Sequence, residues 1–154
     1  MNMPTTKRIG IIGHAADKFD SITEVEAKNV IRSILEEKRP IVISGHSPLG
    51  GVDIWAEEMA SALGLPTQIY APKVHSWNPP NEYGYRARNL DIAKNSDEVH
   101  VIVVSKYPPS YSGMTFKSCY HCVGKNIPTH VKSGACWTAH KAEELGKSAY
   151  WHII

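Results

Sequence analysis

The cysteines of this chain are grouped with histidines at a spacing that could hold a metal. The pattern C-x2-C-x7-H-x5-C is formed by Cys119, Cys122, His130 and Cys136. Thiolate sulfur and imidazole nitrogen are preferred ligands of structural Zn²⁺, which stabilises loops that have little apolar core. A reduced CxxC without metal is the alternative, and His121 or His140 could replace His130. A thioredoxin-like role is disfavoured, because this CxxC does not open a helix after a strand.

A glycine-rich loop lies between the apolar run Ile41–Gly45 and a helical pattern that starts near Val52. A nucleoside-triphosphate P-loop is excluded, because Gly51 and Val52 stand where that motif needs Lys and a hydroxyl residue. Glycines at a helix N-terminus still let the backbone approach a phosphate. A tight turn is the alternative. The candidate ligand residues in this loop are Gly45, His46, Ser47, Gly50 and Gly51.

A second loop of small residues precedes the last helical pattern. Loops that follow parallel strands meet at one edge of the sheet, so the two loops together could clamp a phosphate or pyrophosphate. Arg88 could add a bidentate guanidinium, although a solvated surface arginine is the alternative. Ser133 or Thr138 could instead only cap the helix. The candidate ligand residues outside the first loop are Gly13, His14, Arg88, Asn89, Ser133, Gly134 and Thr138.

Apolar runs that alternate with helical patterns must position these residues. The predicted strands, typical of strands covered on both faces, are Arg8–Gly13, Ile41–Gly45, Thr67–Tyr70, Val99–Val104 and Tyr150–Ile154. The predicted helices cover Ile22–Leu35 after a capping box at Ser21–Glu24, then about Val52–Leu63, Tyr83–Asn95 and Ala135–Leu145. Strand–helix alternation favours right-handed crossovers and an α/β sandwich with a parallel sheet.

The segment 105–130 has neither period and is predicted to be a long inserted loop. Its aromatic residues and cysteines argue against disorder, and loops of this length in a compact domain are usually functional. Tyr107, Tyr111 and Phe116, or Trp137 further on, could stack on a nucleotide base. We therefore expect the insertion to act as a lid over the two loops. Trp55 has a helical spacing that favours the core.

Composition limits the class of protein. A chain of 154 residues with 42% hydrophobic content suits one domain, and a formal charge of +2 gives nucleic-acid binding no electrostatic support. An odd number of cysteines, three, argues against a secreted disulfide framework. The N-terminal segment has the pattern of neither a signal peptide nor a membrane span. A cytoplasmic location is expected.

Three segments of the chain resemble the SLOG superfamily of Rossmann-like domains. They read ISGHSPLGGVDIWAEEMASALGLP, RARNLDIAKNSDEVHVIVV and SGACWTAHKAEELGK, within a match from about Ile9 to Ile154. The nearest branch is the YspA/YpsA-related group, with more distant similarity to the lonely-guy phosphoribohydrolases and to DprA. The resemblance implies one SLOG-like domain over residues 1–154, a Rossmann-like three-layer α/β sandwich with a mostly parallel sheet of about five strands.

The same resemblance implies a nucleotide-type ligand, ADP-ribose-like or a nucleoside monophosphate, bound across Gly45–Asp53 and Ser133–Thr138. Arg88 matches the catalytic Arg of the phosphoribohydrolases, but Lys141 stands where their catalytic Glu should be. N-glycosidic hydrolysis needs a carboxylate, so Asp53, Glu57 or Glu58 would have to supply it. Glu57 and Glu58 could instead be solvated helix positions.

Three functions therefore stay open. The first is hydrolysis of a nucleotide's N-glycosidic bond, with Arg88, Glu57 and Asp53 as catalytic candidates. The second is a non-catalytic nucleotide sensor in a defence or stress pathway. The third, a single-stranded DNA binder like DprA, is disfavoured by the low charge. Relatives suggest a homodimer, and structural zinc is the one cofactor indicated.

Overall fold

The computed structural model describes residues 6–154; residues 1–5, the start of the N-terminal segment considered above, lie outside the described part. Within residues 6–154, strands and helices alternate along the chain. The strands are β1 (Arg8–Gly13), β2 (Ile41–Ser44), β3 (Thr67–Ile69), β4 (Glu98–Val103) and β5 (Ser148–Ile153). The helices are α1 (Ser21–Lys38), α2 (Val52–Ala62), α3 (Tyr85–Asn95) and α4 (Ala135–Glu144).

The five strands form one all-parallel sheet in the order β3-β2-β1-β4-β5. This confirms the predicted α/β sandwich with a parallel sheet. The strand order reverses beside β1, since β2 and β3 lie on one side of it and β4 and β5 on the other. In open α/β sheets, ligands bind outside the carboxyl ends of the strands at such a reversal. The topology therefore places the predicted site between the ends of β1 and β4.

Two apolar layers hold the sheet between pairs of helices. Helices α1 and α2 pack on one face around Ile9, Ile11 and the predicted core residue Trp55. Helices α3 and α4 pack on the other face, around Val99 and Val101. The central strands are covered on both faces as predicted. That prediction is wrong for the two edge strands, because each has a neighbour on one side only. All residues of β3 are exposed, and no residue of β5 is fully buried.

The N-terminus of α1 is capped one residue earlier than predicted. Asp20 is the N-cap: its carboxylate accepts from the N–H groups of Ile22 and Thr23 at 2.9 and 2.8 Å. The Thr23 hydroxyl accepts in return from the Asp20 N–H at 2.9 Å. The predicted box at Ser21–Glu24 is therefore wrong, because an aspartate caps as well as a serine and stands one position nearer the turn.

The segment 105–130 is a packed loop whose helical content is one 3-10 turn, Tyr120–Cys122. Tyr107 and Tyr111 stack with ring centroids 4.7 Å apart, and the Tyr107 hydroxyl accepts from the Phe116 N–H at 2.9 Å. After the loop, the Val131 N–H donates to the Val104 carbonyl at 3.0 Å and returns the chain to the sheet. Over residues 6–154, none of the helices has the length and apolarity needed to cross a membrane.

Candidate functional site

A cleft of about 440 Å³ opens at the carboxyl ends of β1 and β4, where the topology predicts a site. This volume lies within the usual range of small-molecule sites. Loops after three strands and the first turns of α2, α3 and α4 form its polar floor, and the insertion forms an aromatic wall. The candidate residues that line it are Gly13, His14, Ser47, Asp53, Arg88, Asn89, Ser133, Gly134 and Thr138.

Arg88 is held at the floor of the cleft from the first turn of α3. Its Nη1 donates to the Gly45 carbonyl and its Nε to the Asn89 Oδ1 at 2.7 Å, while its guanidinium lies 5.2 Å from the Tyr85 ring centroid. Burial lowers the pKa of Arg88 and the nearby Asp53 carboxylate opposes this, so the side chain stays charged at neutral pH. An arginine has five N–H groups, and these bonds leave donors for a ligand.

Asp53 lies opposite Arg88 in the first turn of α2. Its side chain accepts from the Ser47 N–H at 3.2 Å, and the residue is 7% exposed. Burial raises the pKa of Asp53 to about 6, against the opposing effects of Arg88 and of the Ser47 N–H. A carboxyl group in a cleft that titrates near neutral pH can give or take a proton, so Asp53 has the properties of a general acid or base.

Glu57, the other candidate carboxylate, points away from the cleft lining. It accepts from the Ser44 hydroxyl at 2.7 Å, and its second oxygen lies 2.8 Å from Nδ1 of His46. Glu57 therefore has structural partners, Ser44 and His46, behind the glycine loop. His46 is held in the same network, and the residues of this segment that line the cleft are Ser47, Leu49 and Asp53.

Two glycines of the first loop, Gly45 and Gly51, are required by contacts within the protein. A side chain at Gly45 would collide with the Arg88 guanidinium, and one at Gly51 would collide with the His14 carbonyl oxygen. Gly51 also has φ +88°, a backbone conformation that favours glycine. Gly45, His46, Gly50 and Gly51 do not contribute to the cleft lining in the described chain. Their close packing brings β1, α2 and Arg88 together.

His14 lines the cleft but uses both ring nitrogens on the backbone. Its Nδ1 accepts from the Val104 N–H at 3.1 Å, and its Nε2 lies 3.0 Å from the Lys132 carbonyl, to which it must donate. Burial lowers the pKa of His14 to about 4, so the ring is neutral at pH 7. His14 therefore fixes the second loop to the ends of β1 and β4.

The second loop brings the N-terminus of α4 to the cleft. The Ser133 hydroxyl accepts from the Ala135 N–H at 3.2 Å, but Ser133 stands one residue before the N-cap, Gly134, so it does not cap the helix in the usual sense. Gly134 has open space where a side chain would lie, and Thr138 lines the cleft one turn further on. The first turn of a helix carries partial positive charge, so this end of the cleft favours an anion.

Aromatic and cationic side chains form the rim. Tyr107, Tyr111 and Phe116 line the cleft as expected for the insertion, whereas Trp137 packs edge-on against Trp77 with centroids 5.0 Å apart. Four aromatic and cationic residues of this lining were not predicted from the sequence. The cations among them, Lys18 and Lys132, lie over Tyr111 and Phe116 at 4.6 and 5.5 Å. The other two are Trp77 and Tyr85. The position of Lys132 directly before Ser133 was a usable signal.

The four predicted metal ligands form one buried cluster beside this loop. One donor atom from each of them lies within 4.8 Å of all the others: the donors come from Cys119, Cys122, His130 and Cys136. His130 Nδ1 donates to the Val131 carbonyl at 2.8 Å, which leaves Nε2 directed at the cluster, 3.8 Å from the Cys136 sulfur. A backbone acceptor on the far nitrogen is typical of a metal-ligating histidine. The cluster could hold a metal ion.

The two alternative histidines lie outside this set. His121 packs on Tyr120 with centroids 4.5 Å apart, and His140 contacts the Cys122 sulfur at 3.3 Å while its Nδ1 pairs with Glu143 at 2.9 Å. Trp151 donates to the Cys136 sulfur at 3.4 Å. His140 and Trp151 therefore contact the cluster from outside, each through one of its sulfur atoms.

The thiols of the cluster differ in pKa because they are buried together and hydrogen-bonded to one another. A hydrogen bond from Cys136 lowers the pKa of Cys119 to about 4, and the same bond, with burial, raises the pKa of Cys136. Burial raises the pKa of Cys122 to about 11. One sulfur is thus predisposed to ionise, and a bound cation would favour loss of the remaining protons.

Comparison with known proteins identifies the fold. Neither a family model nor a curated protein matches the chain. The fold is similar to that of the molybdenum cofactor carrier protein MCP from Chlamydomonas reinhardtii, with a TM-score of 0.58 and 16% identity over 96% of this chain and 76% of that protein. It is also similar to DNA processing protein A (DprA) from Streptococcus pneumoniae, with a TM-score of 0.56 and 16% identity over 95% of this chain. The chain spans 50% of that DprA chain. The protein thus has the Rossmann-like α/β fold of both neighbours.

Proposed function

We propose that the cleft binds a phosphorylated, nucleotide-like small molecule. The observation that carries this proposal is the meeting of anion-binding and ring-stacking groups in one cleft. Arg88, Lys132 and the N-terminus of α4 supply positive charge, and Tyr107, Tyr111 and Phe116 of the insertion supply an aromatic wall. Phosphate favours the first set of groups and a nucleobase favours the second. A molecule that carries both parts fits the cleft better than either part alone.

Binding without chemistry is the simplest form of this function. One protein of the same fold is named a molybdenum cofactor carrier, so carriage of a ligand is known for the fold. The neighbour DprA is named for DNA processing, but a formal charge of +2 gives this chain little attraction to a DNA backbone. We therefore propose a small ligand, in a carrier or sensor role, rather than a DNA strand.

Ligand-dependent stabilisation tests this proposal. AMP, CMP, GMP, NAD and ADP-ribose are each added to the protein, and the melting temperature and calorimetric affinity are measured. A ligand at 100 times its Kd stabilises the fold by about 2.7 kcal/mol, which a melting curve resolves easily. We expect Lys132→Ala to weaken binding and Lys106→Ala, an exposed lysine of the insertion outside the cleft, to leave it unchanged. Equal loss in both variants, or no stabilisation by any of the five compounds, would contradict the proposal.

Hydrolysis of the ligand's N-glycosidic bond is a second candidate function. The observation that favours it is the burial of Asp53 in the cleft with a pKa of about 6. At that pKa a carboxyl group can protonate a leaving base or activate water, and Arg88 can hold the phosphate. Release of free base from AMP is the assay. Asp53→Asn should abolish it and Glu57→Gln should not, because Glu57 lies outside the cleft lining.

We further infer that the Cys3His cluster holds Zn²⁺ in a structural role. Tetrahedral zinc with bonds of about 2.3 Å to sulfur places its ligand atoms about 3.8 Å apart, so donors within 4.8 Å need only a small contraction. Four protein ligands leave no position for substrate, which is typical of structural zinc. Elemental analysis should find about one zinc ion per chain. A clearly substoichiometric value, not raised by zinc in the growth medium, would refute it.

A further inference from the structure

We propose that the metal ion of the Cys3His cluster controls the ligand cleft, by fixing the loop that leads into α4. This inference rests on the proposed function of the cleft and of the cluster. The loop 131–135 contributes Lys132, Ser133, Gly134 and Ala135 to the cleft lining. Two metal ligands, His130 and Cys136, flank it directly. A metal bound to both would hold the two ends of the loop at a fixed separation.

The backbone of the loop is joined to the cluster by direct contacts. The Ser133 carbonyl accepts from the Cys136 N–H at 3.2 Å, and the Cys119 sulfur lies 3.9 Å from the same oxygen. On its other side, the loop is fixed by the Lys132 carbonyl, which lies 3.0 Å from His14 Nε2. The helix N-cap, Gly134, has no side chain with which to cap α4. The start of α4 is therefore defined jointly by the Ser133 hydroxyl, which accepts from the Ala135 N–H, and by the contacts of the loop with the cluster.

The same metal would also connect this loop to the aromatic wall of the cleft. Cys119 and Cys122 end the part of the insertion that carries Tyr107, Tyr111 and Phe116. Because Cys119 and Cys122 follow the aromatic residues of the insertion while His130 and Cys136 flank the loop 131–135, the ion crosslinks the wall to the floor. Loss of the ion would release the aromatic wall and the loop 131–135 together. A ligand that needs the ordered cleft would then have to order it on binding, at a cost in affinity.

Exchange and affinity measurements on zinc-loaded and chelator-treated protein test the proposal. We expect amide hydrogen exchange in residues 131–138 to be slower in the zinc form. AMP is the probe, and we expect its Kd to rise about tenfold or more after zinc removal, then to recover when zinc is added back. The central sheet, monitored at 99–103, should exchange alike in both forms, which shows that the chelator has not unfolded the protein.

Each outcome decides between the inference and the functions on which it rests. Unchanged exchange in 131–138, or an equal AMP affinity in both forms, would overturn the inference. Slower exchange in the zinc form with no AMP binding in either form would support metal control of the loop and refute AMP as ligand. Failure of zinc to bind at all would refute the zinc proposal and this inference together, while AMP binding would still support the cleft.

A pair of histidine variants separates control from simple folding defects. His140 contacts the Cys122 sulfur without belonging to the cluster, so its role would be to position that ligand. His121 is the control, because it lies next to Cys122 in sequence but packs on Tyr120. We expect His140→Gln to weaken zinc binding about 10- to 100-fold and His121→Gln to leave it unchanged. At saturating zinc, His140→Gln should recover wild-type AMP affinity. If its affinity stays low there, the effect is on folding and the inference fails.

Discussion

Replacement of Asp53 by asparagine tests whether burial of the ionised Asp53 carboxylate, away from water, destabilises the folded protein. Asparagine has nearly the same shape and keeps an oxygen that can accept from the Ser47 N–H, but it removes the charge. Asp53 is buried, and burial raises its pKa from 3.8 to about 6. Since each pKa unit corresponds to about 1.4 kcal/mol, the ionised carboxylate destabilises the fold by about 3 kcal/mol at neutral pH.

The sign of the effect follows from the direction of the pKa change. The unfolded chain loses this proton near pH 3.8 and the folded chain keeps it to about pH 6. Wild-type stability from this group is therefore fully present below pH 3.8 and is lost as the pH rises through 6. The asparagine variant does not lose it. We expect the two proteins to be equally stable near pH 4, and Asp53→Asn to be more stable by about 3 kcal/mol above pH 7.

Urea unfolding of both proteins between pH 4 and 8 measures this difference. Groups common to both, including the metal ligands, cancel when one free energy of unfolding is subtracted from the other. Glu58→Gln is the matched control, because Glu58 is exposed on the same helix and its neutralisation should change stability by less than about 0.5 kcal/mol. A variant no more stable than wild type at pH 7.5, or a difference independent of pH, would refute the reasoning.

Three further variants test other parts of the site. Gly51→Ala should lower the free energy of unfolding by about 1–3 kcal/mol, because φ is +88° and the new Cβ would meet the His14 carbonyl oxygen. Gly64→Ala is the control and should cost less, because φ there is +70° but the space around the new Cβ is open. The folded pKa of His14, about 4, lies below its usual 6.5, so acid should reduce stability by about 3 kcal/mol across that window, and His14→Gln should remove this slope in urea unfolding. Arg88→Lys should weaken AMP binding about tenfold in calorimetry, since lysine cannot reproduce the planar donor set. An unchanged AMP affinity would place the phosphate elsewhere.

The fold could be predicted from the sequence because its signals are local. Continuous apolar runs and helical spacing give the order of strands and helices, and alternation favours parallel pairing. The cysteine spacing likewise predicted a cluster that the structure brings together. The cap of α1 was misplaced by one residue because Asp20, Ser21 and Thr23 are all competent capping residues, and only tertiary packing selects among them.

The roles of the site residues were harder to predict because they depend on contacts distant in sequence. The glycine loop resembled a phosphate cradle, but Gly45 and Gly51 are required where Arg88 and the His14 carbonyl approach them. Asp53 and Glu57 stand on the same helix, yet only the tertiary fold directs the first into the cleft and the second towards Ser44. Lys18 and Trp77 join the cleft from segments with no motif of their own.

The cost of Asp53 is itself an argument for function. The Asp53 carboxylate accepts a hydrogen bond from the Ser47 N–H, which would be a purely structural role. An asparagine oxygen could accept the same bond without the cost of burying a charge. Arg88, the nearby cation, already has the Gly45 carbonyl and Asn89 as partners and does not restore the usual pKa of Asp53. Stabilising substitutions are generally accessible to a protein, so we propose that Asp53 is retained for a ligand or a proton that it serves.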